Sequence, residues 1–431
     1  MRTREETDGA ALLQSRNDTA TRPRSDPPRL PCEWGDDELI ALFVRTPYTM
    51  LGIIRTVSPR FRDLLASGDF REERRASGCE ESGIVVAGGA VPRTVVPEPG
   101  STNALRRLFP TAQCWLRVGA RWRSIAPLSA PRALACSAVL DGELWVMGGR
   151  TDDVWADDVG VTPFTECTPT ASCEIFNPRS NTWRAGPSMP QARSTFCGAV
   201  AGVVDGSLVV IGGIDNGKRD GGTQRIRGFD NGNGDDGGMP EQEDACPAVV
   251  YNRTTGEWAA TDAASLPQFW PLFWPRFSHL VHSTACVLRG CLFVVWGDKL
   301  QVWDGKTWTT KADLPEERYG AASVAHDGQL WLIGGNRRWS ERAVMSYNPD
   351  TDTWATGFLS PALDRAFGTG CGAAAVNGRV VVVGGDLLGD FADAIAVSNR
   401  DPLEADGWMK EAVQRPNDNP TDPCVASLVM G

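Results

Sequence analysis

A short apolar strand that stops at paired glycines recurs along this chain, and no feature restricts the fold more. It reads IVVAGG at 84–89, LWVMGG at 144–149, LVVIGG at 208–213, LWLIGG at 330–335 and VVVVGG at 380–385. A sixth copy, LFVVWGD at 292–298, keeps one glycine of the pair. Self-similarity at a roughly fixed interval is the signature of repeat architectures. Each copy is followed, after a variable gap, by a tryptophan in a polar turn: Trp122, Trp183, Trp258, Trp308, Trp354 and Trp408. Most copies are preceded by a strand of small residues and an Asp-Gly or Asn-Gly pair, as in SAVLDGELWVMGG, VVDGSLVVIGG, SVAHDGQLWLIGG and AAVNGRVVVVGG. These dipeptides favour two-residue hairpin turns that need positive φ. Before Trp183 and Trp354, Asn-Pro turn chemistry feeds one strand into another. One unit is therefore four antiparallel strands, and the chain is expected to be mainly β.

This order of diglycine and spaced aromatics resembles the kelch repeat, over residues 83–431. The resemblance implies a six-bladed β-propeller of four-stranded blades around a central axis. Six units over that span average about 58 residues, against about 50 for a kelch unit, so the surplus is expected in loops. Glycine suits a strand end where neighbouring blades crowd, and each tryptophan is expected to wedge between blades. An arginine recurs where one unit hands over to the next (Arg132, Arg193, Arg276, Arg318 and Arg365), which points to guanidinium forks bonding carbonyls between blades.

The first doublet strand lacks a small-residue partner ahead of it, while the chain ends PCVASLVMG. Cys424–Met430 is therefore expected beside Ile84–Gly88, closing the ring and removing an exposed sheet edge. The plainer alternative is a frayed tail.

Residues 1–29 are polar and Pro-punctuated, which predicts a disordered tail. In 30–82, Leu39, Leu42 and Phe43 recur at helical spacing after Asp36–Asp37; Pro47 ends that helix, and Met50, Leu51, Ile54 and Val57 repeat the spacing. SPRFRDLL and SGDFREERR open two more helices. This all-α segment resembles an F-box, on the acidic start, ELIALFVRTP, MLGIIRTVSPRFRDLLAS and the closing FREERR. Leu30–Pro31 lies earlier than the F-box pattern places its Leu-Pro, and Trp34–Gly35 stand there instead. The resemblance implies docking to a Skp-type adaptor, and through it a cullin, by Trp34, Leu39, Leu42, Phe43, Pro47, Leu51 and Ile54. The rival reading is a helical cap that only shields the propeller.

Composition narrows the function classes. The chain is 42% hydrophobic and 23% charged with net charge −11, ordinary for a globular protein and weak ground for nucleic-acid binding. No apolar run approaches the roughly 20 residues of a membrane helix. Five of the twelve cysteines (Cys136, Cys197, Cys286, Cys371 and Cys424) occupy repeated strand positions. Copies held apart by the architecture cannot pair, since a disulfide needs Cα atoms within about 7 Å. Free thiols and the lack of a secretory signal lead to an expected cytoplasmic or nuclear location. There is no CxxC, and the histidines are His279, His282 and His326, so no metal or cofactor site and no catalytic cluster is expected.

Binding is the better-supported class. A Gly/Asp-rich insertion at about 214–245 reads as a flexible surface loop. SLPQFWPLFWPRF crowds Trp270, Trp274 and Phe277 into one connection, either as an anchor for a partner or as a plug packed inward. Ser194, Phe277 and Tyr319 follow the recurrent arginines, and Arg150, Asn336, Arg337 and Asp386 follow the doublets; the kelch resemblance implies that these face the channel mouth. With Trp270 and Trp274 they form the expected target-binding face. The two resemblances together imply a non-catalytic substrate receptor of an SCF-type ubiquitin ligase, the alternative being a kelch scaffold without ligase association.

Overall fold

The computed structural model describes residues 34–95, 105–151, 154–157, 160–161, 169–194, 199–213, 248–261, 283–318, 320–335, 343–358, 370–384, 395–398, 408–410 and 424–430. Four helices are followed by a mainly-β propeller of four-stranded antiparallel sheets. The second sheet runs, from its inner strand outward, Cys136–Leu140, Glu143–Met147, Cys173–Asn177 and Thr182–Gly186. The third (Val200–Val204, Ser207–Ile211, Val249–Asn252, Glu257–Ala260) and fourth (Thr284–Leu288, Cys291–Trp296, Lys299–Trp303, Trp308–Thr310) repeat it. So do the fifth (Ala322–His326, Gln329–Ile333, Ala343–Asn348, Thr353–Phe358) and sixth (Cys371–Val376, Arg379–Gly384, Ile395–Ser398, Trp408–Lys410). The first sheet takes its inner strand from the far end of the chain. Cys424–Met430 pairs antiparallel with Glu81–Ala87, from Met430 opposite Glu81 to Cys424 opposite Ala87, and Cys114–Val118 and Arg121–Ile125 complete the sheet.

The doublet strands are continuous apolar runs because both of their faces are covered. Successive side chains of a strand point to opposite sides, and here opposite sides meet different neighbours. Val209 and Ile211 pack toward the fourth sheet with Leu292 and Trp303, while Leu208 and Val210 pack toward the second with Trp145 and Met147. Likewise Ile84 and Val86 share a cluster with Val381 and Val383 of the sixth sheet, and Val85 and Ala87 share one with Leu144 of the second. The inner hairpins turn as the Asp-Gly and Asn-Gly pairs predict: φ is positive at both Asp141 and Gly142, Asp205 and Gly206, Asp327 and Gly328, and Asn377 and Gly378.

The glycine pairs are explained by what touches them. Gly88 and Gly148 have φ of +65° and +67°, and a Cβ on either would lie 2.4 Å from the carbonyl oxygen of Arg132 or Arg193 respectively. The second glycine of each pair donates its N–H to the same carbonyl, at 2.7 Å. The arginine side chain then reaches forward. Arg132 Nη1 donates to Gly148 O at 2.7 Å and Ser172 O at 2.8 Å, and Arg193 Nη1 donates to Gly212 O at 2.9 Å. Arg132 also pairs with Glu174 at 3.1 Å, both side chains buried. Of the arginines expected to join blades, Arg132 and Arg193 thus link one doublet to the next, while Arg318 donates its N–H to Gly297 O and its guanidinium to Glu316. Arg276 and Arg365 lie outside the described residues.

The outer-strand tryptophans make the matching link at the rim. Trp183 Nε1 donates to Ala126 O at 2.7 Å, Trp258 to Pro187 O at 2.9 Å and Trp354 to Ala312 O at 2.9 Å, each acceptor following the outer strand of the preceding sheet. Burial pushes the Cys173 thiol up to about 12, as for a packed, inert cysteine.

One feature departs from expectation. Part of the surplus length is not loop: Ala90–Val95, Leu105–Pro110, Val154–Asp157 and Gly160–Val161 form a seventh four-stranded sheet. One hairpin comes from the first sheet and one from the second, each inserted between the second and third strands, and Arg106–Leu108 pairs with Val154–Ala156 across the two. The tail at 1–29, Cys197, the insertion at about 214–245 and the aromatic loop lie outside the described residues.

Close approach and positive φ are separable by mutation. Gly142 has φ of +75° with nothing within 4 Å of an added Cβ, whereas Gly148 meets the Arg193 carbonyl. Gly142→Ala is expected to cost about 1–2 kcal/mol from the left-handed conformation alone. Gly148→Ala should cost about 3 kcal/mol or more, since backbone must also shift. Denaturant unfolding of the two variants measures the difference; equal costs would show that the Arg193 contact is unimportant.

Candidate docking surface

The helical segment is built from local signals. In α1 (Asp36–Phe43) the Gly35 N–H donates to Glu38 Oε2 at 2.8 Å, and three acidic residues occupy the first turn, where the helix dipole favours negative charge. Helix α2 spans Tyr48–Val57 after Pro47. Helix α3 (Pro59–Ala66) has Pro59 at its first position and Ser58 accepting from the Phe61 N–H at 3.1 Å. Helix α4 (Gly68–Ala76) is capped the same way, Ser67 accepting from Phe70 at 3.2 Å. Arg60 binds Asp36 at 2.7 Å and Trp34 O at 2.6 Å, fastening α3 to the start of α1. Buried Arg74 donates to Val44 O, Thr46 O and Cys79 O at 2.6–2.9 Å, holding the end of α1 against α4.

Leu39, Phe43 and Leu51, expected to touch an adaptor, are buried in the shared core instead, with Ile40, Leu65 and Phe70 around them. Trp34 and Ile54 are half-buried against that core, and Pro47 is exposed. Leu42 alone among the five expected hydrophobic side chains of the helices is a large exposed one, at 48%. It is joined by Met50 at 46%, Ile53 at 59% and Val57 at 66%. Among the described residues, these four are all of the large exposed hydrophobics. Met50, Ile53 and Val57 stand at i, i+3 and i+7 of α2, one stripe of a helix whose other side carries buried Leu51. The signal was present in the sequence: YTMLGIIRTV is apolar on both sides.

The same helices belong to the propeller's packing. Their core is continuous with Val85, Leu116, Leu144 and Phe176 of the first two sheets. The Tyr48 hydroxyl donates to Pro178 O, its N–H to Glu81 Oε1 at 3.2 Å, and Arg55 donates to Arg179 O.

The proposed target face is less open than expected where it is described. Arg150 is buried, its backbone bridged to Ala133 and Pro169, and Ser194 is fully buried behind Arg193. Both are enclosed because the blade-joining segment lies directly over the doublets. Trp270, Trp274, Phe277, Tyr319, Asn336, Arg337 and Asp386 lie outside the described residues. Among the described residues, no three His, Cys, Asp or Glu side chains are grouped to hold a metal ion, and no helix is long and apolar enough to cross a membrane.

A family model described as the Kelch motif matches residues 131–190 and 317–357. The chain carries kelch repeats. The matched segments open beside Arg132 and Arg318 and close just past the rim tryptophans Trp183 and Trp354, so the kelch unit takes in the rim contact in both and the Arg132 link in the first. The chain is similar to Kelch-like protein 23 of Homo sapiens, 25% identical over 57% of this chain and 36% of that protein. It is also similar to Kelch-like protein terF of Aspergillus terreus, 23% identical over 74% of this chain and 50% of that protein. The kelch chain therefore spans half or less of the length of these relatives. A solved structure titled Structure of YjhT aligns with 76% of this chain at 13% identity and a TM-score of 0.48.

Burial separates the two hydrophobic sets of the kelch chain's helices. Phe43→Asp places a charge in the shared core and is expected to cost about 3 kcal/mol or more. Leu42→Asp and Ile53→Asp should each stay within about 0.5 kcal/mol of the parent. Thermal unfolding of the three variants tests this assignment; equal destabilisation would show that the outer stripe is covered.

Proposed function

We propose that this protein is the substrate-recognition subunit of an SCF-type ubiquitin ligase, with the helices at 30–82 docking a Skp-type adaptor and the propeller at 83–431 holding a target protein. The observation that carries the reading is the outward apolar stripe: every large exposed hydrophobic among the described residues sits on α1 or α2. Monomeric soluble proteins seldom leave such patches open without a partner. The F-box resemblance of the same segment names that partner, and the exposed set revises the contact residues to Leu42, Met50, Ile53 and Val57. In this role the protein carries out no chemistry itself and acts in the cytoplasm or nucleus. The kelch-like relatives support a propeller that binds proteins. The second reading, a kelch scaffold without ligase association, draws on the burial of Leu39, Phe43 and Leu51 against the propeller, as a cap would be.

We read the ring as six blades closed by the C-terminal strand. Supporting this, the innermost strands neighbour one another in a full circuit, from Cys136–Leu140 through the third to sixth sheets to Cys424–Met430 and back. The first and sixth sheets also share a hydrophobic cluster.

Two experiments follow. Purified protein mixed with a Skp-type adaptor should form a complex that Leu42→Asp/Ile53→Asp abolishes while the melting temperature holds. Failure of the parent protein to bind any Skp-type adaptor would leave the scaffold reading standing. Deletion of 424–431 should lower the melting temperature by about 10 °C or more, or render the protein insoluble, because it unpairs the first sheet's inner edge. A truncated protein as stable as the parent would show that the ring closes elsewhere.

A further inference from the structure

Helix α2 carries a glycine, Gly52, in its interior and exposed to solvent. A helix-interior glycine is less favourable than alanine, because it gives up more backbone freedom on folding and offers no side chain to pack. Elsewhere in the chain the reason for a glycine is visible. Gly142 takes a positive φ at a hairpin turn, and a Cβ on Gly202 would lie 2.6 Å from Leu292 Cδ1. Gly35 and Gly68 stand at helix ends. Gly52 has none of these reasons: its φ is not positive, and nothing beyond its chain neighbours and the helix's own backbone comes within 4 Å of an added Cβ. The fold of this chain does not call for a glycine there.

Its surroundings supply the reason. Ile53 follows Gly52 and is 59% exposed, and Met50 and Val57 extend the outward stripe a turn to either side. Tyr48 and Arg55, four residues before Gly52 and three after it, are held by the propeller at Pro178 O and Arg179 O. Residues at these spacings are neighbours on a helix surface, so Gly52 lies between the outward stripe and the row that anchors α2. Exposed Thr56, one turn beyond, donates its hydroxyl to Ile53 O at 2.7 Å, within its own helix. An incoming strand or loop would bring N–H and C=O groups for which this apolar wall has few partners, whereas the backbone of a helix is already paired internally. Helices pack with axes about 8–10 Å apart, set by the side chains at the contact, and a glycine there allows the nearest approach.

We propose that a helix of the docked partner crosses α2 at Gly52, its backbone closest there, so that Gly52 sets how deeply the partner seats on Met50, Ile53 and Val57. The inference rests on the Skp-type adaptor reading and deepens it, naming the kind of element the partner presents and the residue that admits it. It accounts for a glycine that weakens α2 while the stripe is uncovered. A side chain at position 52 then has opposite effects on the free and the docked protein: it steadies the helix and holds the partner off.

The test compares the full-length parent, Gly52→Ala, Gly52→Leu and Leu42→Asp/Ile53→Asp by thermal unfolding and by calorimetric titration with a purified Skp-type adaptor. Gly52→Ala is expected to raise the melting temperature of the free protein by about 1–2 °C, because alanine favours an exposed helix interior. The same variant should bind the adaptor about fivefold more weakly or worse, because a methyl group enters a close-packed contact. Gly52→Leu should melt at or above the parent temperature and bind too weakly to detect. If both Gly52 variants bind like the parent while Leu42→Asp/Ile53→Asp abolishes binding, the proposal is overturned and the adaptor reading stands. A Gly52→Ala protein that melts below the parent also overturns it, since the fold itself would then require the glycine. A parent protein that binds no Skp-type adaptor overturns the adaptor reading and the proposed crossing with it.

Discussion

The carbonyl of each linking arginine, set against a glycine that has no room for a side chain, is the contact on which the rest of the propeller depends. Arg132 seals the first doublet with its backbone and the second with its guanidinium, and Arg193 repeats this from the second to the third. Each sheet is thereby positioned on its neighbour at the inner end, while Trp183, Trp258 and Trp354 position it at the rim. Between these two fixed points the doublet strand needs only to be apolar on both faces, and continuous valine, leucine and isoleucine runs suffice. Replacing the arginine would take a donor from buried carbonyls and, at Arg132, would leave the buried Glu174 carboxylate without its counter-charge, a cost far above that of an exposed ion pair.

The helices follow a different logic. Their inner side chains complete a core that they share with the first two sheets, so the segment has one packed side and one outward apolar stripe. Hydrogen bonds from Tyr48 and Arg55 to the Pro178–Arg179 turn add fixed points that packing alone would not supply. A partner seated on the stripe would therefore stand in a set orientation to whatever the propeller holds.

Much of this was legible in the sequence, because the features that recur are those that repeated geometry requires. Paired glycines, Asp-Gly turns, rim tryptophans and linking arginines each answer the same steric or hydrogen-bonding demand in successive sheets. The seventh sheet was not legible: Ala90–Val95 and Val154–Asp157 belong to insertions in different repeats, and nothing local signals that they pair. The outward apolar stripe was legible only in part. Helical spacing marked Leu39, Leu42 and Phe43 on one helix and Met50, Leu51, Ile54 and Val57 on the next, but which of them turns inward depends on the propeller surface beneath. Arg150 and Ser194 were misplaced for the related reason that adjacency to a doublet means enclosure by the blade-joining segment.

The pairing of Glu81–Ala87 with Cys424–Met430 also sets a schedule for the chain as it is made. At roughly 5–20 residues per second, Cys424–Met430 leaves the ribosome on the order of 20–70 s after the strand it pairs with. Throughout that interval the first sheet stands with one edge open, although its outer strands and the helices above them are already available to pack. Until Cys424–Met430 is made, that inner edge stays unpaired, and an unpaired strand edge is where misassociation begins.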